Sequence, residues 1–254
     1  MIDLHSHILP GVDDGARDLA ESVAIARAAA ADGTRVIAAT PHVRSDYPTP
    51  AATMRRLVAV VRNMLEAEGV ELELLSGGEI ALPELQAREL EELRAYGLGG
   101  NAAYLLVETP YHSWPLAYGE IVFRLRAAGI IPVIAHPERN ADVQRDPTKV
   151  LKLVAGGALV QLTAASLDGR LGRAARACAE RLVELEAVHL LASDAHAPDL
   201  RAVGLSKARR SLGDERLGRW LTETVPAAIV SGSPLPPRPP SAPRRGLFRR
   251  RRAR

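Results

Sequence analysis

The chain has 254 residues, 47% hydrophobic and 25% charged, ordinary globular values that exclude wholesale disorder and a fibrous repeat. Its single cysteine precludes an internal disulfide and fits a reducing compartment. No run approaches the roughly 18 apolar residues of a membrane span, and Met1–Leu4 leaves no room for a signal peptide, so a cytoplasmic location is expected. The formal charge of +3 suggests a nucleic-acid binder, yet residues 231–254 hold eight arginines and no acid. Without those arginines, 25 basic residues face all 30 acidic ones, and residues 1–230 carry a net −5. No basic face for nucleic acid is therefore expected on the body.

In chain order, seven short apolar runs read as strands: Ile2–Leu4, Val36–Thr40, Leu72–Ser76, Tyr104–Glu108, Ile131–Ala135, Leu159–Thr163 and Val188–Ser193. Their hydrophobicity is mostly continuous, as in strands covered on both faces. Helical periods lie between them. Met54, Leu57, Val58, Val61 and Leu65 form one apolar stripe, with Gly69 just beyond it. Leu171, Ala174, Ala175, Cys178, Leu182 and Leu185 form another, which gives Cys178 a packing role rather than a nucleophilic one. Alternating strands and helices argue for a parallel α/β architecture, either a barrel or an open doubly wound sheet. Residues 231–254 (SGSPLPPRPPSAPRRGLFRRRRAR) have six prolines and little apolar content, and read as a disordered basic tail on a domain spanning 1–230. Arg249–Arg252 beside Leu247 and Phe248 suit contact with an anionic membrane surface.

The polar residues recur at one place in each unit. The first strand ends in His5-Ser6-His7, followed by Asp13-Asp14-Gly15, and the second in Thr40-Pro41-His42. The third runs into Gly77-Gly78-Glu79 and the fourth into Glu108-Thr109-Pro110. The fifth leads to His136-Pro137-Glu138-Arg139, and the seventh to Ser193-Asp194-Ala195-His196. Active sites of parallel barrels gather at the carboxyl ends of the strands. Residues two apart on an extended chain share a face, so His5 and His7, and likewise Asp194 and His196, can reach one cation.

A lone strand-end histidine is ordinarily a hydrogen-bonded structural residue, and an Asp before Gly is ordinarily a turn. Nine such residues aligned at matching strand ends point instead to metal ligands: His5, His7, Asp14, His42, Glu79, Glu108, His136, Asp194 and His196. Imidazole and carboxylate without thiolate suit Mn²⁺, Fe or Zn²⁺, and nine donors exceed the need of one ion. His189 lies inside a strand and reads as core. His112, after Pro110-Tyr111, is placed where it could touch substrate.

The opening DLHSHILPGVDDG, followed in order by TPH, GGEI, AHPER and SDAH, resembles the polymerase-and-histidinol-phosphatase (PHP) superfamily. Within it, the chain most resembles the bacterial capsule-type manganese-dependent protein-tyrosine phosphatases, over roughly residues 1–230. The resemblance implies a distorted seven-stranded (β/α) barrel, TIM-barrel-like, around two or three divalent ions, with Mn²⁺ favoured. It implies one ion on His5, His7 and Asp194, with Glu79 bridging to a second completed by Glu108 and His136. Asp14, His42 and His196 are implied for a third, with Asp13 and Asp14 interchangeable in that assignment. The expected nucleophile is a hydroxide bridging two ions.

Phosphate charge also calls for guanidinium groups, and Arg139 and Arg201 are the catalytic candidates, with Arg44 a weaker substrate-binding third. The implied substrate is a phosphotyrosine protein, a membrane-associated bacterial tyrosine kinase that regulates capsule or exopolysaccharide synthesis. The alternative is a small-molecule phosphoesterase such as a histidinol-phosphate phosphatase.

Overall fold

A computed structural model describes residues 1–197 and 203–240. Ten strands occur among them: β1 (Ile2–Ser6), β2 (Val36–Ala39), β3 (His42–Arg44), β4 (Tyr47–Pro48), β5 (Glu73–Ser76), β6 (Glu79–Ile80), β7 (Tyr104–Val107), β8 (Ile131–Ala135), β9 (Leu159–Thr163) and β10 (Leu190–Ala192). They form a three-stranded sheet, β1-β2-β5, and a seven-stranded sheet, β10-β9-β8-β7-β6-β3-β4. Every pairing is parallel except that of β3 with β4.

All seven sequence-predicted strands are present, and two of them continue past a break. The chain leaves β2, crosses Thr40-Pro41, and resumes as β3 in the other sheet. Proline has no N–H to offer a ladder, which is why the pairing lapses there. The same happens between β5 and β6 at Gly77-Gly78. At the far side, a parallel bridge pairs Ser6 with Ala195. There His7 N–H donates to the Ala195 carbonyl at 2.8 Å and Asp194 N–H to the His5 carbonyl at 2.8 Å. The end of β1 thus lies beside the end of β10.

The strands are buried on both faces, as their unbroken hydrophobicity foretold. Every residue of β7, β9 and β10 is buried. Helix Ala51–Ala67 packs Met54, Val58, Val61 and Leu65 inward, and Gly69 follows at φ 65°. Helix Arg173–Glu184 packs Ala175, Cys178, Ala179 and Leu182 inward, while Ala174, expected on that stripe, is exposed. The helix begins only at Arg173, so Leu171 precedes it and Ala174 falls in its exposed first turn, while Ala175, Cys178 and Leu182 lie on the buried face as drawn. Cys178 is buried in the core, and burial, then the Glu138 charge, push its thiol up to about 12. His189 holds a structural place, its Nδ1 accepting from Val160 N–H at 3.2 Å.

The Pro/Arg-rich segment departs from the expected disorder at its start. The Trp220 indole N–H donates to the Pro236 carbonyl at 3.2 Å. Arg238 lies over the Trp220 ring, 5.5 Å from its centroid, and donates to the Val188 carbonyl at 2.7 Å. A guanidinium stacked on indole with backbone acceptors in reach offsets the ordering entropy that composition alone leaves unbalanced. Residues 241–254, with the remaining arginines, lie outside the described ones.

Candidate metal centre

Nine side chains singled out in the sequence meet at the carboxyl ends of the strands. They form four overlapping groups: His7, Asp14, His42 and His196; His5, Glu79 and His136; His5, His7 and Asp194; and His42, Glu79 and Glu108. His5, His7 and Glu79 are fully buried, His42, His136, Asp194 and His196 nearly so, and Asp14 is exposed. Glu108 lies beside His42 and Glu79, and Glu79 also meets His136, so Glu79 is common to both arms of the expected second set.

The backbone places these groups by unusual means. His136 (φ 36°) and Asp194 (φ 52°) are left-handed just beyond β8 and β10. Such positions cost about 1–3 kcal/mol and persist where the surroundings over-determine them. Gly15 closes the Asp13-Asp14 loop onto β1, where a Cβ would fall 2.1 Å from the His7 carbonyl oxygen. Only glycine fits that approach.

Three imidazoles are oriented alike. His7 Nδ1 lies 2.7 Å from Asp13 Oδ2, His5 Nδ1 3.0 Å from Gln161 Oε1, and His196 Nδ1 2.9 Å from the Asp194 carbonyl. Each acceptor fixes the proton on Nδ1 and leaves the Nε2 lone pair to face a cation, the second-layer arrangement of metal-bound histidine. His5 Nε2 and His7 Nε2 stand 3.2 Å apart. Each is 3.4 Å from Glu79 Oε2 and 3.5 Å from Asp194 Oδ1. Donors about 2.1 Å from a tetrahedral centre are separated by about 3.4 Å. The residues therefore fit a divalent ion in number, chemistry and spacing.

Two further arms extend from this core. His136 Nε2 is 2.8 Å from Glu79 Oε1, and His42 Nδ1 is 3.1 Å from Glu79 Oε2. His196 Nε2 and His42 Nε2 lie 3.3 and 3.5 Å from Asp14 Oδ1. Among the described residues, His42 Nδ1, Glu79 Oε2 and His136 Nδ1 are buried with no partner in hydrogen-bonding geometry, which is costly unless something else satisfies them.

The electrostatics ask for positive charge. Burial disfavours protonated His7, yet Asp13 and Glu79 outweigh it and lift the imidazole to about 9. Burial likewise opposes His42, which Asp14 and Glu79 raise to about 10. Glu79 is held well below the usual carboxylate range against its own burial, chiefly by His5 and His136. Asp194 is also depressed against burial, with His5 the main opposing charge. Glu108 is raised by burial and by Glu79. Cations bound among these carboxylates would meet the same demand while leaving the imidazoles neutral and ligating.

Asp13, left interchangeable with Asp14 by sequence, accepts from His7, from His42 N–H at 3.0 Å and from Gly15 N–H at 3.0 Å. The neighbouring Asp14 carries the carboxylate that joins the cluster. Arg139 Nη1 donates to Asp194 Oδ2 at 2.6 Å, with its guanidinium 4.6 Å from the Tyr111 ring centroid. Arg44 Nη1 donates to Glu108 Oε1 at 2.9 Å. Arg201 lies outside the described residues. His112 is exposed on the loop that carries Tyr111.

Sequence reasoning passed over Gln161 and Tyr111. A lone amide inside the apolar run Leu159–Thr163 was the available signal for Gln161. Nothing beyond its place after the fourth strand marked Tyr111.

A parallel α/β sheet with imidazole–carboxylate clusters at the carboxyl ends of its strands is the architecture of a metal-dependent hydrolase. Residues 1–226 match the capsular polysaccharide synthesis family CpsB/CapC, and the chain belongs to that family. Tyrosine-protein phosphatase YwqE of Bacillus subtilis is 36% identical over 253 residues, 98% of this chain and 99% of YwqE. Tyrosine-protein phosphatase CpsB of Streptococcus agalactiae is 27% identical, covering 90% of this chain and 98% of CpsB. Among solved structures, one described with YwqE from Bacillus subtilis and CpsB from Streptococcus pneumoniae as metal-dependent tyrosine phosphatases superposes with a TM-score of 0.86 at 35% identity. It covers 95% of this chain and 100% of its own. An organophosphorus hydrolase from Deinococcus radiodurans shares the fold at a TM-score of 0.51 and 15% identity, over 89% of this chain and 90% of its own.

Proposed function

We propose that the chain is a metal-dependent protein-tyrosine phosphatase of capsule or exopolysaccharide synthesis, a phosphoric monoester hydrolase. The observation that carries this reading is the set of three imidazoles, His5, His7 and His196, each with Nδ1 held by an acceptor and Nε2 turned toward carboxylates. His5, His7, Glu79 and Asp194 would hold one ion, Glu79, Glu108 and His136 a second, and Asp14, His42 and His196 a third. Manganese is the proposed metal and the β/α strands are read as a distorted seven-stranded barrel. When bound, such ions supply Lewis-acid chemistry, lowering the pKa of water from about 15.7 to about 7 and neutralising phosphoryl oxygens.

The chain's own residues then orient the ester. Arg139, fixed between Asp194 and the Tyr111 face, turns its other N–H donors to phosphoryl oxygens. Arg44, held at Nη1 by Glu108 and at Nε and Nη2 by Asp46, offers only its remaining N–H groups to the same oxygens. Burial works against both guanidiniums, but their carboxylate partners raise them above the ordinary value. They therefore donate hydrogen bonds and keep their protons. That suits a phenolate leaving group, whose conjugate acid has a pKa of about 10 and which departs without a strong general acid. Arg201 is proposed for the same work on the strength of its place after His196.

The substrate follows as a phosphotyrosine protein, a membrane-associated tyrosine kinase, met in the cytoplasm. The Arg-rich end is proposed to touch an anionic membrane surface. Arg238, within the described part of that segment, donates to the Val183 and Val188 carbonyls ahead of β10, whereas the metal ligands follow that strand. His136→Ala tests the reading. It should abolish aryl phosphate hydrolysis at any Mn²⁺ concentration with the circular dichroism spectrum unchanged. Full activity in that variant would sink it.

A further inference from the structure

A cleft of about 480 Å³ opens beside the cluster, lined by Arg44, Ala81, Leu82, Pro83, Glu108, Pro110 and Tyr111. Among the described residues, the charged ones lining it are Arg44 and Glu108, which sit together at 2.9 Å, and Glu108 belongs to the group with His42 and Glu79. The remaining wall is alkyl, prolyl and aromatic. The cleft therefore has a charged end at the cluster and an apolar body leading away from it, the polarity of an aryl phosphate.

Tyr111 is the movable-looking part of that wall, yet its backbone is pinned. Asn140 Nδ2 donates to the Pro110 carbonyl at 2.7 Å, and Ala141 N–H donates to the Tyr111 carbonyl at 2.9 Å. Trp114 N–H donates to Asp142 Oδ2 at 2.9 Å, and the Tyr118 hydroxyl donates to the Glu108 carbonyl at 3.1 Å. Tyr111 as a residue is 44% exposed. It reaches toward the cluster, 6.3 Å from the His136 ring, and carries Arg139 on one face. A large aromatic held at the surface on a pinned loop, and lining a cleft, is pre-organised for a ligand, because little entropy is left to lose on binding.

We propose that the cleft between Arg44 and Tyr111 is the aryl subsite of this enzyme, and that Tyr111 and Leu82 select aromatic over aliphatic phosphomonoesters. This rests on the phosphatase reading and names its specificity determinants. Metal ligands and arginines grip the phosphoryl group that all monoesters share, so they do not distinguish tyrosine from serine. The ring contacts do.

The test uses the full chain loaded with Mn²⁺ and three probes: phenyl phosphate, β-glycerol phosphate and inorganic phosphate as inhibitor. Tyr111→Ala should lower kcat/KM for phenyl phosphate about tenfold, mainly through KM, the scale of one lost aromatic contact. The inhibition constant of inorganic phosphate should move far less than KM for phenyl phosphate, and Tyr111→Phe, which keeps the ring in the cleft and under Arg139, should retain the preference for phenyl over glycerol phosphate. Leu82→Ser, at a position that lines the cleft on the side of Ala81 and Pro83, should shift phenyl phosphate in the same direction. A phosphate constant that weakens in step with phenyl phosphate in Tyr111→Ala would show Tyr111 acting only through Arg139 and would overturn the proposal. So would wild-type kcat/KM on phenyl phosphate in both alanine and serine variants. Wild-type enzyme inert toward every monoester would remove the phosphatase reading itself, whereas equal turnover of phenyl and glycerol phosphates would remove only the aryl subsite.

Discussion

Asp13 and Asp14 adjoin in the chain and separate in role, and Asp13→Asn against Asp14→Ala makes that separation measurable. The Asp13 carboxylate is fully shielded and accepts three hydrogen bonds, from His7 Nδ1, His42 N–H and Gly15 N–H. Asparagine keeps one acceptor oxygen and turns an amide donor toward the remaining donors. At least one bond is lost and the charge that favours the His7 ligand tautomer disappears. Removing a partner of this kind typically costs 10- to 100-fold in metal affinity, or about 1.4–2.7 kcal/mol. The ion set itself survives, because no Asp13 atom belongs to the four donor groups.

Calorimetric titration of chelator-stripped protein with Mn²⁺, paired with phenyl phosphate hydrolysis, reads both quantities. Asp13→Asn should bind the wild-type number of ions with the midpoint shifted 10- to 100-fold, and saturating metal should restore most of kcat. Asp14→Ala removes a donor from the group with His7, His42 and His196 and should lower the stoichiometry with no recovery at high metal. An Asp13→Asn protein short of one ion, beside an Asp14→Ala protein with the full complement, would reverse the assignment.

Two further outcomes concern the end of the domain remote from the metals. His189 is depressed to about 4, by burial first and then by Arg238, so between about 6.5 and 4 the unfolded chain binds a proton that the folded chain refuses. Stability should fall by about 2 kcal/mol from pH 7 to pH 5 on this account, at about 1.36 kcal/mol per unit. Urea melts of His189→Gln should lose that share of the pH slope, and an unchanged slope would refute it. Vesicles rich in phosphatidylglycerol should pellet the full chain and not a chain ending at residue 240, with neutral phosphatidylcholine vesicles pelleting neither. Equal pelleting of both chains on anionic vesicles would remove the tail as a membrane contact.

The strands were legible because parallel strands are covered on both faces, so each left an uninterrupted apolar run. Ile131–Ala135 and Leu159–Thr163 match the observed bounds. The donors were legible because they recur at one end of those runs, where tertiary structure gathers them whatever the loops do. What sequence concealed is local geometry. Thr40-Pro41 and Gly77-Gly78 read as strand ends, but the chain resumes in another sheet as β3 and β6, carrying His42 and Glu79 inside strands rather than in loops. Gln161 and Asp13 were hidden for another reason, since they act on ligands rather than as ligands, and such a role depends on a partner far away in the chain. Arg238 shows the limit of composition, which counts charge and proline without seeing the Trp220 ring that Arg238 covers.

The site's charges also bear on what holds the substrate. Asp14, Glu79, Glu108 and Asp194 all face the cluster, and the two guanidiniums beside it are already engaged, Arg139 with Asp194 and Arg44 with Glu108 and Asp46. A phosphate dianion brought to this protein alone would meet carboxylates before free cations. Each like-charge pair at about 4 Å costs about 4 kcal/mol at an effective dielectric of 20. Ions held by these carboxylates would then serve binding as well as hydrolysis, by offsetting the negative charge that Asp14, Glu79, Glu108 and Asp194 present to phosphate. Stripping the metal should weaken inorganic phosphate, measured by calorimetry, on the order of 100-fold or more, with Mn²⁺ restoring it. An arginine-only phosphate site predicts the opposite, undiminished phosphate affinity in the chelated protein, and that result would move the ions out of substrate recognition altogether.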